Sequence, residues 1–126
     1  MRSHSSVVSS AFENALGSHV WAAFRALLTE DAEWTLPGRS LVAGRATGAD
    51  ALVERAQTLV RYGVQFDVRQ VLLGQHGFAL YSHNTAVRGT QSLDEWVAIV
   101  CLLEAGKVCS IGTFLSDVRQ IEEFFV

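Results

Sequence analysis

Proline occurs once in these 126 residues, at Pro37, so little interrupts regular backbone and long elements are expected. Cysteine occurs twice, at Cys101 and Cys109. That is too few for a disulfide scaffold and fits a reducing cytoplasm. Across a two-residue hairpin the two thiols would leave opposite faces of a sheet, which disfavours a bond between them. The four histidines, His4, His19, His76 and His83, show no i, i+4 pair and no carboxylate at ligand spacing, so no metal is expected. Lys and Arg together number 10 against 13 Asp and Glu, a net charge of −3. Without a dominant basic face, nucleic acid is excluded as a partner. No apolar run approaches the ~20 residues that cross a bilayer, so no membrane partner is expected. The first ten residues also lack the apolar segment of a secretory signal. The stretch 44–48 carries no Walker or dinucleotide pattern, and no cofactor is expected.

What is present is apolar mass: 49% of residues are hydrophobic and 18% charged. A chain of this length buries about two-thirds of its unfolded surface, so residues 1–126 read as one domain with one core. The first half has helical periodicity. Val7, Val8, Ala11, Phe12 and Leu16 suggest a short helix ending at Gly17, a natural left-handed stop. Ser18 then stands as an N-cap before Val20, Phe24, Leu27 and Leu28, which form one stripe. Glu33 to Leu36 alternates and is broken by Pro37-Gly38, giving a short strand; 44–48 reads as loop; Leu52, Ala56, Leu59 and Val60 mark a third helix that stops near Tyr62-Gly63. From Val64 the period changes to two. Strands are expected over Val64–Val68, Phe78–Val87, Trp96–Leu103 and Val108–Leu115, with turns near Arg88-Gly89-Thr90 and at Ala105-Gly106. Asp117 to Gln120 matches a capping box that opens a last short helix. Helices first, then an antiparallel meander, make an α+β protein with helices laid on one face of the sheet.

Several segments resemble a known family. Leu27-Leu28-Thr29-Glu30-Asp31-Ala32-Glu33-Trp34 and Gly44-Arg45-Ala46-Thr47-Gly48-Ala49-Asp50-Ala51-Leu52 are similar to the strand entry and helix start of the nuclear transport factor 2-like superfamily. His83 to Gly89, Leu93 to Val97, Glu104 to Val108 and Asp117 to Phe125 resemble its SnoaL-like polyketide cyclase and ketosteroid isomerase-like branch. The series runs in order over nearly the whole chain. The resemblance implies a cone-shaped fold, a strongly curved antiparallel sheet wrapped around N-terminal helices with a short C-terminal helix, enclosing an apolar pocket. Relatives of this kind include isomerases, cyclases and epoxide hydrolases, and also non-catalytic binding domains.

Carried over residue by residue, the isomerase tyrosine falls at Phe12, the carboxylate base at Leu36 and the oxyanion-binding aspartate at about Ile99. None can serve as acid, base or hydroxyl donor, which leaves Phe12, Leu36 and Ile99 as apolar ligand contacts and makes that enolisation mechanism untenable. No Asp-Arg-Asp set is readable for epoxide hydrolysis. A single acid/base group in an apolar pocket, the SnoaL-type plan, stays open. Tyr81 and His83, at i and i+2 on one strand, share a face. Anchoring on Gly89 turns them to the pocket, with His83 as acid/base and Tyr81 as its polar partner; anchoring on Phe78 turns Ser82 and Asn84 there instead. Trp34 would wall the pocket, and Thr113 would line it if the Ala105-Gly106 hairpin has the right register. Asp94 and Glu95, at a strand edge, read as solvated, with the pocket mouth as the other reading. Trp96 suits the outer face of a sheet-to-sheet homodimer.

The expected function is therefore a SnoaL-like cyclase or isomerase acting on a small apolar, polyketide-like or terpenoid-like molecule. The alternative is a non-catalytic binding or dimerisation module of the same fold.

Overall fold

The computed structural model describes residues 4–126; Met1 to Ser3, which open the segment read above for a leader, lie outside the described residues. Four helices and six strands follow in the order α1 (His4–Gly17), α2 (Trp21–Ala26), β1 (Leu28–Leu36), β2 (Gly44–Thr47), α3 (Ala49–Arg61), β3 (Gln65–Leu73), β4 (Gly77–Arg88), β5 (Gln91–Glu104), β6 (Lys107–Leu115) and α4 (Val118–Phe124). The strands form one curved sheet in the order β2-β1-β6-β5-β4-β3. The helices lie over one face of it. No helix among the described residues is long and apolar enough to cross a membrane.

The sheet is mixed rather than antiparallel throughout. β3 to β6 make the expected antiparallel meander, but β1 runs parallel to β6, with Trp34 opposite Ile111. A parallel neighbour needs a long crossover, and everything between β1 and β6 supplies it. β2 occupies the stretch read as loop: Gly44 to Thr47 pair antiparallel with Leu36 to Glu33 at the sheet edge. Glycines at both ends of these residues, Gly44 and Gly48, hide the strand period.

α1 ends at Gly17 as expected, yet the left-handed residue is His19 (φ 58°). Val20 N–H donates to Ala15 O at 3.0 Å and His19 N–H to Leu16 O at 3.4 Å, the paired closing bonds of a Schellman motif. Ser18 is spent inside that motif, so α2 starts after Val20 without a side-chain cap. Leu27 and Leu28 leave the helical stripe because β1 begins five residues earlier than the alternation at Glu33 suggests.

Inward-facing residues of β1, β4, β5 and β6 form one core with residues of the four helices. Phe12, Phe24, Leu28, Leu52, Phe78, Leu80, Cys101, Val108, Ile111 and Phe124 form the buried centre. Phe12 meets Phe24 in a tilted contact (5.2 Å between centroids) and Phe78 edge-on (5.6 Å), at the α1 end of this core.

A buried carboxylate at one end of an apolar cavity

Between α3, α4 and the inner face of the sheet lies a partly open cavity of about 40 Å³. On that measure one water needs roughly 10–15 Å³, so the cavity has room for about three. Its wall is almost wholly apolar, with Trp34, Leu36, Val97, Ile99, Leu115 and Phe125 prominent in it, and it carries a few polar groups: Asn84, Glu95 and Thr113.

Strand alternation explains which residues arrive. On β5, Leu93, Glu95, Val97, Ile99 and Cys101 are buried in a strict period of two. On β4, Leu80, Ser82, Asn84 and Ala86 face inward and the residues between them face out. The facing expected for Tyr81 and His83 is thus the reverse of the one found, and the Phe78 anchor, which turns Ser82 and Asn84 inward, describes the strand. Phe78 is itself buried, and an uninterrupted pairing with β5 from Gly77 to Arg88 carries its parity along the strand.

β6 reaches the cavity by a different device. Ala105 (φ 53°) and Gly106 (φ 78°) close a two-residue turn with Glu104 opposite Lys107. Alone, that turn would send Thr113 outward. One residue later the register slips, from Leu103 opposite Val108 to Leu102 opposite Ser110, leaving Cys109 as an extra residue. The bulge reverses the parity, so Ile111 and Thr113 point in, with Thr113 facing Ile99. There Thr113 Oγ1 accepts a 2.7 Å hydrogen bond from Trp34 Nε1. Trp34, Leu36, Ile99 and Thr113 therefore lie in the cavity wall, whereas Phe12 does not border it.

Glu95, read first as solvated with the pocket mouth as the other reading, is buried, with a residue exposure of 0%. A buried carboxylate must be satisfied, and this one is. Glu95 Oε1 accepts from Ser116 Oγ at 3.0 Å and from Asp117 N–H at 2.5 Å; Oε2 accepts from Gln120 Nε2 at 3.0 Å. Asp117 does cap α4, accepting from Gln120 N–H at 3.3 Å. The other half of the capping box is replaced, because Glu95 takes the Asp117 N–H that the Gln120 side chain would have accepted. Gln120 instead clamps β5, bonding Asp94 N–H, Asp94 O and Glu95. Burial pushes the Glu95 carboxyl above its ordinary range; the bonds from Asp117 and Ser116 oppose this, and the nearby Asp117 carboxylate adds to the rise. Two residues before Val97 on an alternating strand, Glu95 had its facing written in its parity, and only the usual exposure of glutamate argued against it.

On the outer face, Trp96 is sandwiched. Tyr81 stacks on it at 5.2 Å and His83 at 4.4 Å, while Arg69 approaches its ring at 5.8 Å. His83 Nε2 lies 2.5 Å from Asp94 Oδ1. Among the described residues no group of three or more His, Cys, Asp or Glu could hold a metal ion. Cys101 is buried, with its thiol pushed far up by burial, and both cysteines are free.

No family model and no curated protein matches the sequence. Solved structures do match. The chain is similar to Bal32a from a soil-derived mobile gene cassette, with 24% identity and a TM-score of 0.91 over 98% of this chain and 97% of that one. It is similar to a nuclear transport factor 2-like protein of Burkholderia xenovorans LB400, with 18% identity and a TM-score of 0.82 over 98% and 96%. A provisionally named ketosteroid isomerase of Kribbella flavida DSM 17836 shares 20% identity and a TM-score of 0.68 over 90% and 78%. These likenesses give the fold: the chain has the nuclear transport factor 2-like α+β architecture that its sequence segments resemble.

Proposed function

We propose that the protein is a cofactor-independent acid/base enzyme of the isomerase or cyclase type, taking a small apolar carbonyl compound into the cavity and using Glu95 to move a proton. The observation that carries this reading is a fully buried carboxylate, held by three donors, in the wall of a mainly apolar hollow. Enolisation or an intramolecular carbon–carbon closure demands a group that gives and takes a proton, and a carboxyl that burial holds above its ordinary range is suited to that role. Trp34 and Ile99 supply flat apolar walls, and Asn84 offers an amide to a substrate oxygen while its Oδ1 is tied to Ser82 Oγ at 2.6 Å. Because the hollow holds only about three waters, a ring-sized substrate is accommodated by displacing Ile121 and Phe125, which border it on and just after α4. The same three bonds also anchor α4 to β5, and this favours a second reading, a binding module in which Glu95 is purely structural.

The discriminating measurement follows isomerisation of 3-cyclohexen-1-one, and deuterium uptake beside its carbonyl, by NMR. The expected result is turnover by the native protein and a loss of at least about 100-fold in Glu95→Gln, the scale of a general acid/base contribution. Equal rates in both proteins would remove Glu95 from the chemistry. Saturable binding without exchange would select the binding module.

We further propose that the protein forms a homodimer through the outer face of the sheet. That face exposes Tyr81, Trp96, Leu102 and Phe114, the last 63% accessible, an apolar area that a monomer in water leaves uncovered only at a cost.

A further inference from the structure

A second depression lies outside the cavity, on the surface of α3 against the segment 41–46. It encloses about 400 Å³ and is lined by Leu41, Val42, Ala46, Arg55, Thr58 and Arg61 among others. Arg55 is its unusual member. Its Nη1 donates to Trp34 O at 2.8 Å and its Nη2 to Ala43 O at 3.3 Å, and its guanidinium lies 5.4 Å from the Trp34 ring centroid. All of these partners are neutral. Four other arginines are matched: Arg25 holds Glu30 and Asp50, Arg45 faces Glu33, Arg69 holds Asp67 and Arg119 holds Glu123; among the described residues the exposed Arg39, Arg61 and Arg88 form no ion pair. Among the described residues Arg55 forms no ion pair, although it is partly buried and burial works against its charge. A guanidinium offers five N–H donors in a fixed fork, and two of these are used.

Arg61 brings a second guanidinium to the same depression, its Nη2 donating to Thr58 Oγ1 at 2.8 Å. Thr58 donates its own hydroxyl proton to Glu54 O, so it adds no free donor. Glu54 on the rim is the one carboxylate in the lining, and two arginines against one glutamate leave a local positive charge in a chain of net −3. Beside the arginines the wall is apolar: Ala46, Val42 and Leu41, the last 63% exposed with nothing packed over it.

We propose that this groove binds a small amphipathic anion, its oxyanion held by Arg55 and Arg61 and its hydrocarbon tail laid along Leu41, Val42 and Ala46. Carboxylate and phosphate monoester share the required chemistry, because either accepts from a guanidinium fork. The inference is independent of any acid/base role for Glu95. It does connect to the cavity physically, since Val42 lines both hollows and Arg55 rests on Trp34.

The test titrates the full chain with octanoate, octyl phosphate and 1-octanol, followed by backbone amide shifts and tryptophan fluorescence. Saturable shifts confined to 41–46 and 54–62 are expected with the two anions, the tighter of them identifying the oxyanion. The alcohol should bind at least about tenfold more weakly, as should octanoate to Arg61→Gln, whose surface side chain can change without cost to folding; tenfold corresponds to one charge-assisted contact. Arg55→Gln should lose more, and if it fails to fold, Arg61→Gln and the alcohol carry the decision. Absence of saturable shifts at these amides, equal binding of octanol and octanoate, or unchanged affinity in Arg61→Gln would each overturn the proposal.

Discussion

The indole of Trp34 donates to the hydroxyl of Thr113 at 2.7 Å across a sequence separation of 79 residues, joining adjacent strands inside the cavity wall. This contact exists only because the Cys109 bulge turns Thr113 inward, so a side-chain bond and a backbone irregularity depend on one another.

Thr113→Val keeps the shape and removes the acceptor, leaving a buried indole N–H without a partner. The expected cost is about 1–3 kcal/mol in urea unfolding, and Thr113→Ser should recover most of it. A valine variant as stable as the native protein would show that the bond contributes nothing.

Glu95 makes stability depend on pH in an unusual direction. Its folded carboxyl is raised above the ordinary glutamate range, so in the window between those two values the folded state binds more protons than the unfolded chain. Its contribution is therefore complete on the acid side of the ordinary range and is lost as pH rises through the raised value. Carboxylates held low, such as Glu30 beside Arg25, slope the opposite way. The Glu95→Gln minus native difference in unfolding free energy, measured across that window, isolates the effect. It should grow in favour of the variant as pH rises, and a flat difference would contradict the shift.

Trp96→Glu places a charge in the centre of the Tyr81–Trp96–His83 stack, where Trp96 is 36% exposed. Light scattering should find a dimer for the native chain and a monomer for the variant, with unchanged far-UV circular dichroism. A native chain that stays monomeric over the concentration range would end the dimer proposal.

Gly77 opens β4 where an added Cβ would stand 2.2 Å from Cys101 O, a backbone atom that cannot swing aside. Gly77→Ala should destabilise by about 1–3 kcal/mol, the scale of overpacking, and thermal melting checks it. Gly17→Ala meets no atom within 4 Å and serves as the control.

Much of the fold was legible because long alternating runs and helical stripes report backbone geometry directly: α1, α3, the four-strand meander and the Asp117 cap all declare themselves. β2 did not, since four residues that begin with one glycine and are followed by another have no period to read. Parallel pairing of β1 with β6 was equally silent, being a long-range choice with no local signature. At the site, Trp34, Leu36, Ile99 and Thr113 reach the cavity, while Phe12 sits with Phe24 and Phe78 instead. The β4 parity hinged on one choice of anchor, and that choice exchanged Tyr81 and His83 for Ser82 and Asn84. For Glu95 the pocket came second to solvent on the general rule that glutamates seek water, which fails where Ser116, Asp117 and Gln120 converge to replace it.

The surplus residue at Cys109 also matters for anyone comparing this chain with distant cousins. Upstream of it, even positions of the last strand look into the molecule; downstream, odd ones do. A gap misplaced by one letter would hand every later residue of that strand to the wrong side of the sheet, so functional roles are best transferred separately for the two stretches.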